Sequence, residues 1–267
     1  MYKQFYSLST NPFPKNLGAS DLFKSSSFNE TLARLNYLKT SKGMGLITSP
    51  PGAGKTTALR AFASSLNSAL YKPMYCPFSS GTVNDFYREL AIMLGEIPRN
   101  RKVDLFHQIQ DAIRAFYYEK RITPVFILDE MHMASNKFLN DLSLLFNFSM
   151  DSETPFILVL SGLPHLSDRL QLNQNQSLNQ RIIMRYEVKP LDKDEVKTFV
   201  SHNLSLAGAS YDIFSASALE AITTNSRGWP RIISNIAIHA LIRGFQLKQE
   251  TIDADIITDT INESGIR

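Results

Sequence analysis

The chain has 267 residues, 43% apolar and 20% charged, with 28 Lys+Arg against 25 Asp+Glu and one cysteine. That composition excludes a disordered chain, and the length suits one large domain or a medium domain with a small companion. The lone Cys76 excludes an intrachain disulfide and a cysteine-based zinc site; it reads as a packed small residue in a reducing compartment.

The N-terminal Met1-Tyr2-Lys3-Gln4-Phe5-Tyr6 lacks the apolar core of a signal peptide. Runs such as Phe156-Ile157-Leu158-Val159-Leu160 are far shorter than the ~20 residues that span a bilayer. The expectation is a soluble, cytoplasmic protein without membrane contact.

In chain order, residues 1–24 read as irregular, punctuated by Asn11-Pro12-Phe13-Pro14. Apolar residues at 28, 32, 35 and 38 predict an amphipathic helix before Gly43, and residues 45–48 a short strand. A helix over 57–70 and a strand over 73–76 follow, then helices over 82–94 and 105–118 joined by the basic turn Pro98-Arg99-Asn100-Arg101-Lys102. The unbroken apolar runs 124–128 and 156–160 suit central strands of a parallel sheet covered on both faces. The Gln/Asn-rich stretch 171–180 reads as a polar loop leading into a helix. From Asp192 only helical periodicity remains, over 192–206, 215–224, 230–245 and 252–261. Asp192-Lys193-Asp194-Glu195 has the form of a capping box, and Pro230 suits a first helical turn. Two domains are expected: an α/β core with an N-terminal extension over 1–188, and a small helical domain over 189–267.

Ser49-Pro50-Pro51-Gly52-Ala53-Gly54-Lys55-Thr56 lies between a strand and a helix and matches the phosphate-binding loop at Gly54, Lys55 and Thr56. Ser49 stands where the first glycine is usual. Gly52 and Gly54 let backbone N–H groups of the loop turn toward phosphates, Pro51, Ala53 and Thr57 complete the nucleotide-binding segment, and the helix start adds partial positive charge. Lys55 would bridge the β- and γ-phosphates of ATP, and Thr56 would hold Mg²⁺. Val125-Phe126-Ile127-Leu128-Asp129-Glu130 ends a buried strand in two carboxylates. Such an end needs a cation: Asp129 would hold Mg²⁺ through water, and Glu130 would polarise the attacking water. ATP hydrolysis follows from the two motifs together.

Ser161 after the fourth strand, Asn179-Gln180-Arg181, and Gly228-Trp229-Pro230-Arg231 at a helix start complete an order that resembles the AAA+ arrangement. The resemblance makes Ser161 sensor 1, Arg181 the arginine finger reaching a neighbouring subunit (Arg169 in reserve), and Arg231 sensor 2. It implies an AAA+ P-loop NTPase fold, a central parallel sheet flanked by helices and followed by a helical lid. The chain further resembles the ExeA-like branch over nearly its whole length, through Phe5-Tyr6, Asn11-Pro12-Phe13, Ala33-Arg34-Leu35 and Gly162-Leu163-Pro164-His165-Leu166 as well as the motifs above. Within that branch it is similar to transposon-encoded ATPases of the TniB, TnsC and IstB kind. Those assemble on double-stranded DNA as rings or filaments, hexameric or heptameric, beside a DDE-type transposase. The secretion-associated member of the branch also carries a membrane span and a peptidoglycan-binding region, neither of which is expected in this chain. By the same resemblance Phe13 either covers the adenine or packs in the core. The loops at Ser79-Ser80-Gly81-Thr82-Val83-Asn84 and 99–102 would line the ring interior, with Thr82, Asn84, Arg99, Arg101 and Lys102 on DNA phosphates.

The first 186 residues carry 20 cations against 14 anions, the remainder 8 against 11. A basic core and an acidic lid suit a core domain that faces DNA. The five histidines show no metal spacing, Asp129-Glu130-Met131-His132 lacks the second motor domain of a DExH helicase, and Phe116-Tyr117-Tyr118 reads as packing rather than a base-stacking platform. Two rival readings stand beside a transposition ATPase: a relative acting on protein in secretion or envelope assembly, and a nucleotide switch that does not hydrolyse.

Overall fold

The computed structural model describes residues 1–77 and 82–265; Ser79, Ser80 and Gly81 of the first expected DNA loop lie outside the described residues. The elements in chain order are Tyr2–Phe5 (α1), Ser26–Ser41 (α2), Gly43–Thr48 (β1), Lys55–Ser65 (α3), Tyr71–Pro77 (β2), Val83–Leu94 (α4) and Lys102–Arg114 (α5). Thr123–Asp129 (β3), Asn136–Leu145 (α6), Ile157–Gly162 (β4), His165–Gln171 (α7), Gln176–Arg181 (α8) and Ile182–Glu187 (β5) follow. Lys193–Leu206 (α9), Ala216–Ser226 (α10), Pro230–Gln246 (α11) and Ala254–Ser264 (α12) close the chain.

The five described strands form one sheet in the order β2-β3-β4-β1-β5, with every pairing parallel. The three inner strands are buried at every position, while the edge strands β2 and β5 mix buried with exposed residues. This is why the inner strands read as unbroken apolar runs: helices cover both faces of a parallel sheet. The expected central sheet with flanking helices and a helical C-terminal part is what the structure contains.

Local chemistry sets the element ends. The helix expected over 57–70 stops at Ser65, because Asn67 turns the chain by accepting the Ala69 N–H on its side chain (2.9 Å). The stretch 171–180 leads, as read, into a helix; a short helical turn precedes that helix, α8, which runs directly into β5. The Asp192/Glu195 capping box forms as read, and Pro230 occupies the first turn of α11. Cys76 is buried on β2, and burial first, then Glu89, pushes its thiol up to about 12, an inert packed residue.

Two compact units divide the chain. One comprises Glu30–Pro51 and Lys55–Val188 and is built on the sheet; its core packs β1, β3 and β4 against α4, α5, α6 and α7 through residues such as Phe126, Leu158, Leu90, Ile109 and Leu139. The other comprises Met1–Asn29, Gly52–Gly54 and Lys189–Arg267. Its core joins α9 to α12 with N-terminal aromatics: Phe5 meets Phe245 edge-on at 5.6 Å, and the buried Tyr6 donates its hydroxyl to the Gln249 carbonyl (2.9 Å). Among the described residues no helix is long and apolar enough to cross a membrane.

Gly228 shows how tightly this second unit is set. Its φ is +78°, and a Cβ there would fall 2.1 Å from the Leu191 carbonyl oxygen. That backbone also receives the Leu191 N–H on the Gly228 carbonyl (2.9 Å). Gly228→Ala is expected to destabilise the unit by about 2–4 kcal/mol, read as a lower urea midpoint; an unchanged midpoint would contradict the close packing.

Candidate nucleotide site

The C-terminal edge of the sheet carries the polar residues. In open α/β sheets this is where ligands bind, because the chain leaves each strand there to start a helix or loop. Asp129 ends β3 and is 1% exposed. Its Oδ1 accepts from the Ser161 hydroxyl at the end of β4 (2.7 Å) and from the Glu130 amide (2.9 Å). Its Oδ2 accepts from the Thr56 hydroxyl on α3 (3.0 Å) and the Tyr75 hydroxyl on β2 (3.2 Å). Four donors from three strand ends and one helix start thus converge on a single carboxylate. Burial, then the Asp129 charge and hydrogen bond, push the Tyr75 phenol up to about 12, so it remains a donor across the ordinary pH range.

Lys55 begins α3, is buried, and places Nζ 3.4 Å from the Ser49 carbonyl. Ser49 is fully buried, its N–H bonded to the Gly162 carbonyl (3.2 Å) and its hydroxyl turned onto the Pro50 carbonyl (3.0 Å). It does not adopt a positive φ, so the loop accepts serine where glycine is usual. Gly54 is different: φ is +96° with open space around its Cβ position, so conformation, not crowding, calls for glycine. Pro51, Ala53 and Thr57 complete the loop and the first turn of α3. Among the residues of the second unit, the Arg231 N–H at the start of α11 donates to the Gly52 carbonyl (3.2 Å), and the Arg231 side chain is exposed. Phe13 lies in that unit's core, its ring 6.2 Å from Phe199.

Glu130 differs sharply from its neighbour. Its backbone is left-handed (φ 59°), its side chain is 46% exposed, and Oε2 lies 3.3 Å from His132 Nδ1, outside hydrogen-bond geometry. Burial holds the His132 imidazole below its usual range, with Glu130 pulling the other way. The turn after Glu130 is clamped by Arg169 on α7, which donates to the His132 carbonyl (2.8 Å), the Ala134 carbonyl and Asn136 Oδ1 (3.3 Å). Asn175 bonds both Asn136 Oδ1 (3.1 Å) and the Arg169 carbonyl (2.8 Å). Arg169 is therefore built into its own unit.

Arg181 ends α8 just before β5, at the N-terminal edge of the sheet and so at the opposite edge from Asp129. Its guanidinium donates to the Ser143 carbonyl and pairs with Asp151 (3.2 Å). Of the expected DNA residues, Thr82 caps α4 in a box with Asp85, and Asn84 sits in the first turn of that helix. The Arg99 N–H bonds Gln108 (3.2 Å). Arg101 is 78% exposed, its nearest carboxylate Asp104 at 3.9 Å, whereas Lys102 is held by Asp141 at 2.7 Å. Tyr75, Asn136 and Asn175 were not foreseen; a tyrosine near a strand end and two asparagines in polar turns carry no motif.

Ser161 is the shortest donor to Asp129, and its loss leaves a buried carboxylate oxygen with one donor fewer. Ser161→Ala is expected to lower stability by about 1–3 kcal/mol and to weaken ATP turnover, measured by urea denaturation and phosphate release. Wild-type values in both would remove Ser161 from the network.

The comparisons with known proteins agree with this geometry. A sequence-family model described as an AAA domain matches residues 38–170. General secretion pathway protein A of Aeromonas hydrophila is 32% identical over 274 residues, an alignment covering 100% of this chain and 49% of that protein. The chain thus spans about half the length of the curated relative. The structure of Cdc6p from Pyrobaculum aerophilum superposes with a TM-score of 0.66 at 16% identity, over 98% of this chain and 70% of that one. Drosophila ORC bound to DNA does so with a TM-score of 0.66 at 14% identity, over 98% and 65%. At such identities the likeness shows the fold alone. The chain has the AAA+ P-loop NTPase fold, with its match to an AAA domain over residues 38–170.

Proposed function

We propose that this chain is a Mg²⁺-dependent ATPase that assembles as a homo-oligomer on double-stranded DNA and regulates transposition through a DDE-type transposase. The observation that carries the ATPase reading is the Asp129 carboxylate, buried and held by Thr56, Ser161, Tyr75 and the Glu130 amide. Mg²⁺ is commonly held by one or two carboxylates together with substrate phosphates, and the buried Asp129–Thr56 pair offers a fitting donor set. When bound, the ion supplies positive charge that draws electron density from the terminal phosphate.

The chain's own groups do the rest. Backbone N–H groups of the loop at Gly52–Thr56 and the Lys55 ammonium hold the phosphates of ATP. Glu130, its side chain partly exposed, accepts a proton from the attacking water as the water oxygen bonds the γ-phosphorus and the bond to the bridging oxygen of ADP breaks. Ser161 fixes Asp129, and Arg231 senses nucleotide in its own subunit. Arg181 reaches a neighbouring subunit after parting from Asp151, which makes hydrolysis depend on assembly.

Several observations support DNA as the partner. Arg101 is strongly exposed, the first 186 residues are basic, and the fold is shared with Drosophila ORC, which was solved bound to DNA. The transposase partner rests on the resemblance of the motif order to transposon-encoded ATPases. One observation favours a second reading, action on protein partners in secretion: the full-chain similarity to General secretion pathway protein A.

Steady-state ATPase rates with and without duplex DNA separate the two readings. We expect DNA to raise the rate, and Glu130→Gln to cut hydrolysis by about 10²–10⁴-fold while ATP-bound oligomers accumulate on DNA, seen by sedimentation. Neither stimulation nor DNA-dependent assembly would favour the secretion reading. Arg101→Ala should weaken DNA binding and lower the slope of log K against log salt by about one, with Lys102→Ala adding less because Asp141 already holds Lys102. An unchanged slope would remove Arg101 from the interface.

A further inference from the structure

A second cluster of cations sits at the opposite end of the sheet from Asp129. The ammonium groups of Lys72 and Lys120 both face the ring of Phe116, at 4.5 and 4.2 Å from its centre. Lys42 lies 5.3 Å from the ring centre of Tyr71 and 5.9 Å from that of Tyr117, and donates to the Thr123 hydroxyl (3.0 Å). Tyr71 opens β2 in register with Thr123, which opens β3, and Lys42 directly precedes β1. All three lysines therefore gather at the N-terminal edge of the strands. Arg121 follows Lys120 with a left-handed φ of 57°.

The local backbone makes this gathering possible. Phe116 and Tyr117 lie in the single π-helical turn Ala115–Glu119, which continues α5 and shifts its side-chain phase before β3. Such turns often occur at functional sites. Phe116 is buried beneath the two ammonium groups, so its ring fixes where they sit.

The charges do not balance internally. Among the described residues Lys42, Lys72 and Lys120 form no ion pair; the nearby acids are engaged elsewhere, Glu153 with Tyr118 (2.7 Å) and Asp111 with Arg114 (3.2 Å), which leaves Glu119 in the turn itself. Burial, and then the Lys120 charge, hold the Lys72 ammonium below its usual range. Two like charges are thus held on one ring by packing, and an arriving anion would relieve their repulsion.

We propose that this edge is a second nucleic-acid contact, in which Lys42, Lys72, Lys120 and Arg121 take backbone phosphates of double-stranded DNA without reading bases. A duplex presents one negative charge per ~1.7 Å of axis, a density suited to several unpaired point charges along one edge. The ring faces are already covered by ammonium groups, so base stacking is not available to them, and compact ammonium charges suit phosphate contacts that carry no sequence information. The proposal rests on the DNA-binding reading above but uses residues apart from Arg101 and from the nucleotide site.

The test is fluorescence anisotropy of a labelled random-sequence duplex with the full chain at several salt concentrations. Lys72→Gln with Lys120→Gln is expected to weaken binding about tenfold at low salt and to lower the slope of log K against log salt by about two, with nucleotide affinity and the circular dichroism spectrum unchanged. Should the pair disturb folding, the exposed Lys120→Gln alone should lower the slope by about one. Wild-type affinity and slope in these variants would overturn the proposal while leaving the DNA reading intact. A wild-type chain that binds no duplex at all would instead remove the DNA reading itself. A labelled poly-glutamate of matched charge binding more tightly than the duplex, and losing that affinity in the variants, would assign the edge to acidic protein and overturn the proposal.

Discussion

Asp129 is the point on which the nucleotide end of the sheet depends. A carboxylate at 1% exposure has given up its hydration, and it is tolerable only because donors from β2, β4, α3 and the next peptide replace the lost water. Each donor sits on a different element, so the same bonds fix those elements against each other. Strand order β2-β3-β4 sets Tyr75 and Ser161 on either side of Asp129, and the loop from β1 into α3 supplies Thr56. A shift of any of these elements would leave a buried carboxylate oxygen short of a partner.

The same constraint explains why two adjacent acids behave so differently. The Glu130 amide turns back to Asp129 Oδ1, and the left-handed backbone at Glu130 then sends its own side chain away from that buried pocket. One acid is thereby a fixed, buried acceptor and the other a partly exposed group. Arg169 keeps the following turn in place by filling the His132 and Ala134 carbonyls, so the pose of Glu130 is set from behind by α7.

Legibility in the sequence followed burial and locality. The inner strands β3 and β4 announce themselves as apolar runs because both faces are covered, and the capping box at Asp192 is readable because its partners are three residues apart. Strand β5, Ile182-Ile183-Met184-Arg185-Tyr186-Glu187, lies at the sheet edge and keeps polar residues, so it does not separate from the helix before it. Helix α6 follows a short 3-10 turn and carries asparagine and aspartate among its leucines, which blurs its period. In the site, the phosphate loop and Asp129-Glu130 were legible because strand, loop and helix signals coincide there. Tyr75 and Asn175 were not, since their roles arise from contacts 54 and 39 residues away.

Spacing alone also leaves the arginines unranked, and here side-chain partners decide. Arg169 satisfies two carbonyls and the Asn136 side chain, with its own carbonyl bonded to the buried Asn175. Withdrawing it would orphan several half-buried polar groups, each costing about 1–3 kcal/mol. Arg181 has the Ser143 carbonyl and one ion pair, whose partner Asp151 is 56% exposed. Water reaches Asp151 and screens that pair, but the Arg181 side chain is only 16% exposed, and leaving the Ser143 carbonyl costs about 1–3 kcal/mol. Asp151 itself lies in a turn where Ser149, Met150 and Asp151 all hold left-handed backbone. Of the two arginines, Arg181 is thus the one with fewer partners to leave, and Arg169 the one the fold ties down most firmly.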